Sequence, residues 1–235
     1  MASLSDLGQL SLDFASRIQG LLRAVLPGNI AIESTEAGTY FSVHPVGAVA
    51  SQRAVPLLID GAQLARLSLI FRQELDHTGR FLKTSEAAFT VYSDLDRQPL
   101  FALDYKASMN QAPVSHWNLF SERGALTHLL SRAHALGRVK HPHRLSSLHF
   151  PTGGERFRPS LEDLLQFLIH ECGFDAQDGW KEALATSREQ WRRLQLRTAV
   201  RDLQDDAARV LQENGWSVSP PEEQPAIWSK PYRTW

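Results

Sequence analysis

Between residues 64 and 120 the chain alternates apolar and polar residues in short runs divided by turn chemistry, and this pattern constrains the fold more than any other feature. Leu67, Leu69 and Phe71 alternate with polar neighbours, which places them on one face of an extended strand. Asp76-His77-Thr78-Gly79 is turn chemistry, and the chain returns through Phe89, Val91 and Tyr92. Residues 61–75 also fit a helical period through Leu64, Leu67, Ile70 and Phe71, but the turn signals on both flanks favour strand. Asp94-Leu95-Asp96-Arg97 turns the chain into PLFALDYK, and PVSHWNLF follows, giving an antiparallel meander. Upstream, NIAIES and TYFSVH flank Glu36-Ala37-Gly38 as a shorter hairpin.

A meander with one apolar face needs a cover. Leu7, Leu10, Phe14, Ile18, Leu21 and Val25 recur at helical steps, so a helix over residues 5–26 is expected to lie on the sheet, stopped by Pro27-Gly28. Residues 123–136 read as a further helix, and LSSLHF as a short strand. Pro151 to Pro159 reads as an irregular loop. Ser160 caps the helix after it, with Asp163 completing a near capping box and Leu161, Leu164, Leu165 and Leu168 forming a buried face. Residues 179–213 hold no internal Pro or Gly after Gly179 and read as one long helix, or two with a break near Thr198. The expected fold is α+β: an N-terminal helix packed on an antiparallel β-meander, followed by a helical C-terminal third. Residues 1–175 would form the α+β domain, 176–216 a helical extension, and 217–235 a Pro-rich extended tail.

Hydrophobic residues make up 43% of the 235, enough for a real core, and the formal net charge of -1 gives no global field for nucleic acid or membrane. Any such surface must be local. The single cysteine, Cys172, rules out an internal disulfide and favours a reducing compartment. No run approaches the roughly 18 apolar residues of a membrane span, and MASLSDLGQL lacks the pattern of a secretory signal. The expectation is a cytoplasmic protein with no membrane partner.

Gly153 and Gly154 in the Thr152–Arg158 loop could take positive φ and let the backbone approach a ligand, with Arg156 and Arg158 holding a carboxylate or phosphate. The alternative is that both arginines pair with carboxylates, Glu162 and Asp163 among them. Asp104 and His116 lie on strands expected to be adjacent and could act as a carboxylate-oriented base, with His149 a further candidate. His141-Pro142-His143 has the look of a metal pair, but no Cys pair or HExxH accompanies it, so no metal or other cofactor is assigned. Arg138 and His143 match an R-x4-H ribonuclease spacing that requires a helix, and Gly137 and Pro142 oppose one. Arg193, Arg197 and Arg201 follow at four-residue steps with Arg188, Trp191 and Arg192 beside them. Such a stripe suits a phosphate backbone or a protein partner, while nearby acids offer intrahelical pairing instead. Trp228 and Trp235 in the tail are apolar anchors with nothing local to bury them. The tail is therefore expected to gain order only by docking on another surface.

HFPTGG, RFRP and LEDLLQFLIHECG, spanning residues 149–173, resemble a segment of an uncharacterised bacterial protein family of actinobacterial type. The layout of a strand, Asp104-Tyr105, His116-Trp117 and a later helix is similar to TumE-type toxins of bacterial toxin–antitoxin pairs. The histidine cluster such a toxin would carry beside its DY strand is reduced here to His116, so no catalytic role is carried over. The leading expectation is a non-catalytic, protein-interacting component of a bacterial defence, toxin–antitoxin or regulatory assembly. The rivals are a small nuclease or RNase toxin using Asp104, His116 and a loop arginine, and a nucleic-acid binder working through the basic helix.

Overall fold

The structure, a computed structural model, describes residues 4–233 except 50–51, 96–97, 224–225 and most of 122–148. The helix expected over 123–136 falls largely outside the described residues, and Arg138 and Trp235 lie outside them. Helix α1 (Leu4–Val25) is followed by strands β1 (Ile32–Ala37), β2 (Tyr40–Pro45), β3 (Ala54–Ile59), β4 (Ala62–Leu75), β5 (Leu82–Ser93), β6 (Pro99–Lys106), β7 (Ser115–Leu119) and β8 (Phe150–Pro151). All pair antiparallel in one sheet of order β1-β2-β4-β5-β6-β7-β8, with β3 also on β4. The C-terminal part carries helices α2 (Gly154–Phe157), α3 (Leu161–His170), α4 (Trp180–Asp202) and α5 (Gln204–Glu213), and a 3-10 turn at Lys230–Tyr232. This is the expected α+β arrangement of helix, antiparallel sheet and C-terminal helices.

The alternation sets the layers. Leu67, Leu69 and Phe71 on β4 stand opposite Val91, Phe89 and Ala87 on β5, and all six are buried on the face that α1 covers. Phe14 of α1 meets Phe71 edge-on at 5.0 Å between ring centroids. Leu7, Ile18, Leu21 and Val25 are buried as their spacing requires, but Leu10 is half-exposed and lines a cleft. The helical alternative for residues 61–75 is not adopted.

Strand β3, in a stretch to which the sequence reading assigned no element, carries Pro56 inside its six residues. Its only pairing among the described residues is with β4, so the missing Pro56 amide costs no ladder bond on its free edge. Asp60 (φ 51°) and Gly61 (φ 73°) form the two-residue connection to β4. The Asp175 carboxylate accepts the amides of Asp60 (3.1 Å) and Gly61 (2.8 Å), and its own amide donates to Leu58 O at 2.8 Å. This pins the corner to the segment that leads into α4.

Ser160 and Asp163 complete the capping box of α3, and Leu161, Leu164, Leu165 and Leu168 are buried as expected. Helix α4 packs against α1 and α3 and puts Leu184 into the same core. The helical run breaks at Leu203, not at Thr198. Thr198 stays helical and donates its hydroxyl to Leu194 O, whereas the Asp202 carbonyl is taken by the Trp228 amide from the tail. The stretch expected as an irregular loop contains the single turn α2. Gly153 has φ of −62° and Gly154 is not among the positive-φ glycines, so the proposed left-handed backbone is absent there. Gly153 is needed for close packing instead: a Cβ would sit 2.4 Å from Phe157 O.

Candidate functional site

A cleft of about 880 Å³ opens on the helical side of the sheet. Its walls are the middle of α1, the β4–β5 turn, α2, one face of α4 and the tail. Among the described residues, eight basic ones line it (Arg17, Arg80, Lys83, Arg156, Arg158, Arg197, Arg201, Lys230) against four acids (Asp13, Asp76, Glu155, Asp202). Phe14, Phe81, Tyr105, Trp191, Trp228 and His77 supply rings. The chain has almost no net charge, so this is a local positive patch of the kind that draws polyanions.

Cations and rings are paired. The Arg201 guanidinium lies 4.1 Å from the Phe81 ring centroid, and Arg80 lies 5.6 Å from the same ring. Deeper in, Arg158 sits 3.9 Å over Tyr105 and 5.8 Å from the Trp191 ring. Burial pushes the Arg158 pKa down, with Tyr105 and Glu155 opposing. Burial also pushes the Tyr105 hydroxyl up to about 12, so it stays a neutral phenol. A recess of about 60 Å³ beside Arg158 and Arg17 runs on from the cleft.

Arg156 does contact carboxylates, but not those of α3. Its Nε donates to Asp202 at 2.7 Å and its Nη1 to Glu155 at 2.8 Å. Burial works against the Arg156 charge; the Asp202 bond and Glu155 outweigh it and hold the pKa above the usual guanidinium value. The acids of α3 have other partners: Asp163 receives Arg188 Nε at 2.9 Å, and Glu162 accepts the Ser187 hydroxyl at 2.5 Å. Arg156 is thus a structural tie between α2 and the end of α4, while Arg158 faces the cleft.

The basic stripe of α4 divides. Arg188 is held by α3, and Arg193 pairs with Glu189 one turn earlier at 2.7 Å. Arg192 is exposed and does not line the cleft. Only Trp191, Arg197 and Arg201 of that group reach the cleft. Four-residue spacing fixed a face but not the surface it meets.

Asp104 and His116 are register partners across β6 and β7, on the sheet face away from the cleft. His149 joins them, its ring perpendicular to that of His116 with centroids 4.5 Å apart. His116 Nδ1 donates to Pro113 O at 2.7 Å. Asn118 Nδ2 donates to Asp104 at 2.7 Å. Burial pushes the Asp104 carboxyl up against His116, Asn118 and His149; burial, then His116, push His149 down. The three catalytic candidates therefore meet, and such a pair of imidazoles can pass a proton. His116 is buried, and the loop arginines are engaged elsewhere, Arg156 with Asp202 and Glu155 and Arg158 over Tyr105. Among the described residues no His/Cys/Asp/Glu group could hold a metal ion.

The tail docks on the protein itself. The Trp228 ring stacks on His77 with centroids 4.6 Å apart and planes 10° from parallel, and its amide donates to Asp202 O at 2.9 Å. Pro231 is buried and the Tyr232 hydroxyl donates to Asp202 at 3.4 Å. The residues that sequence reasoning missed, Arg17, Arg80, Phe81, Lys83 and His77, come from α1 and the hairpin end. The cluster Arg80-Phe81 beside a turn was the one available signal. No helix among the described residues is long and apolar enough to cross a membrane. No protein-family model matches this chain, and no curated protein or solved structure matches it either.

Proposed function

We propose that this protein is a non-catalytic binding module whose cleft takes single-stranded nucleic acid. The observation that carries this is the lining: an excess of arginine and lysine interleaved with rings, with Arg201 laid on Phe81 at 4.1 Å. Phosphates are attracted by the cations, and unstacked bases offer faces to the rings, a combination that duplex DNA cannot use. Fluorescence anisotropy with an oligothymidylate of about a dozen nucleotides tests it. Binding should weaken steeply with salt and exceed binding of a duplex of equal length. Arg201→Gln should weaken it several-fold and reduce the slope against log salt by about 0.7. An Arg201→Gln variant that binds like the parent, or a parent that fails to bind at low salt, overturns the reading.

A second reading rests on a different surface. Leu196, Val200, Val210, Leu211 and Trp216 on and just after α4 and α5 are exposed, up to 67% for Trp216. Exposed apolar side chains on these two helices favour a protein partner, and a bacterial defence, toxin–antitoxin or regulatory assembly is the setting that the resemblance implies. Leu196→Glu should abolish co-elution with that partner without altering oligonucleotide binding.

A further inference from the structure

The tail occupies an unusual position. Residues 226, 228, 230 and 231 line the same cleft as Arg201 and Phe81, so the last described segment of the chain forms part of the wall that a ligand would meet. Its contact with the hairpin end is made by Trp228, whose ring lies parallel to the His77 ring at 4.6 Å. His77 itself stands on a firm support. The Asp76 carboxylate accepts the Thr78 hydroxyl at 2.7 Å and the amides of Arg80 at 3.1 Å and Phe81 at 3.2 Å, which fixes the turn around it. A planar ring presented on a rigid turn, next to a cation-bearing ring at Phe81, is what a stacked base and its phosphate need.

Trp228 is held loosely for a docked indole. It remains 37% exposed, and Ile227 before it 55%. The firmer grips on the segment lie beside it, at the Asp202 carbonyl and at buried Pro231. An indole carried on the same chain has a high effective concentration at its platform, yet contributes only the stacking of one ring. A nucleobase brings the same stacking together with phosphate contacts to the neighbouring arginines, so it can replace the indole.

Building on the cleft reading above, we infer that His77 is a base-stacking subsite and that Trp228 fills it until nucleic acid displaces it. The apparent affinity of the full chain is then lowered by the fraction of molecules whose platform is covered. Trp228→Ala in the full-length protein opens the platform. With an oligothymidylate of about a dozen nucleotides, this variant should bind about tenfold more tightly than the parent. An abasic deoxyribose-phosphate strand of the same length should show no such gain, because it has no ring to stack. His77→Ala combined with Trp228→Ala should remove the gain. Trp228→Phe, which keeps a smaller ring on the platform, should fall between parent and Trp228→Ala, and circular dichroism of each variant checks that it is folded. If the parent binds but Trp228→Ala binds no more tightly, or gains equally on the abasic strand, the subsite is overturned while the cleft reading stands. If neither protein binds either strand, both fall together.

Discussion

Arg156 and Asp202, 46 positions apart, share a 2.7 Å ion pair with little solvent access. The pair ties α2 to the last residue of α4, and the same carboxylate receives the Tyr232 hydroxyl. Three segments therefore meet at one side chain. Asp202→Asn keeps the shape and removes the charge, leaving the buried guanidinium with Glu155 alone. The variant should lose about 2–4 kcal/mol in urea unfolding. A loss under about 0.5 kcal/mol would show that the pair contributes nothing net.

Gly153→Ala should destabilise by about 1–3 kcal/mol. The added Cβ would meet the backbone of Phe157 at 2.4 Å, so the turn must shift, and Arg156 and Arg158 with it. Oligonucleotide affinity should fall in the same variant. Unchanged stability, measured by thermal melting, would mean that the turn relaxes freely.

Burial raises the Asp104 pKa in the folded state, with His116, Asn118 and His149 opposing. The folded protein then holds its proton to higher pH than the unfolded chain does. Stability from this group is present at low pH and is lost as pH rises from the ordinary carboxylate value through the folded one. Asp104→Asn removes that loss, so it should melt higher than the parent near pH 7 and nearly level with it below about pH 4. A lower melting temperature at neutral pH would show that the charge at Asp104 is needed by the two histidines.

Asp76 behaves in the opposite sense. Desolvation pulls its carboxyl up, but the bonds from Thr78, Arg80 and Phe81, helped by His77, together outweigh it and hold the pKa down. Its contribution is present above the ordinary carboxylate value, and is lost as pH falls through the lower folded one. Asp76→Asn should therefore cost stability at neutral pH, and the difference from the parent should vanish in acid. A constant difference across the range would assign the effect to shape alone.

Leu184→Ala should cost about 2–5 kcal/mol and leave a single unfolding transition. Leu184 lies near the start of α4 yet is buried with the core of the sheet and α1. Two calorimetric transitions would show that α4 and α5 unfold as an independent unit.

The hairpin of β4 and β5 was legible because alternation and turn chemistry act over neighbouring residues. The same holds for the Ser160 cap, whose partner is three positions away. What the sequence hid were choices among distant partners. Arg156 reaches Asp202 because Asp163 is already held by Ser160 and Arg188, and Glu162 by Ser187. Trp228 was readable as an anchor from its apolar area, but nothing near it names His77 as its seat. Arg197 and Arg201 shared a face with Arg193, and only the packing of α4 on α1 and α3 decides which of them line the cleft. No element was assigned to β3, whose Pro56 is tolerated because, among the described residues, the strand pairs with β4 alone.

The clamp of Asp175 on the Asp60-Gly61 corner has a consequence for the order of folding. The carboxylate and the amides it binds are separated by 114 and 115 positions, so closing that contact early would cost a long loop of disordered chain. The ladders of the meander join near neighbours and can form first. During synthesis, a chain that has emerged only as far as β7 can pair β3 with β4, but the corner between them lacks its acceptor. Those two amides stay with water until the segment after α3 leaves the ribosome.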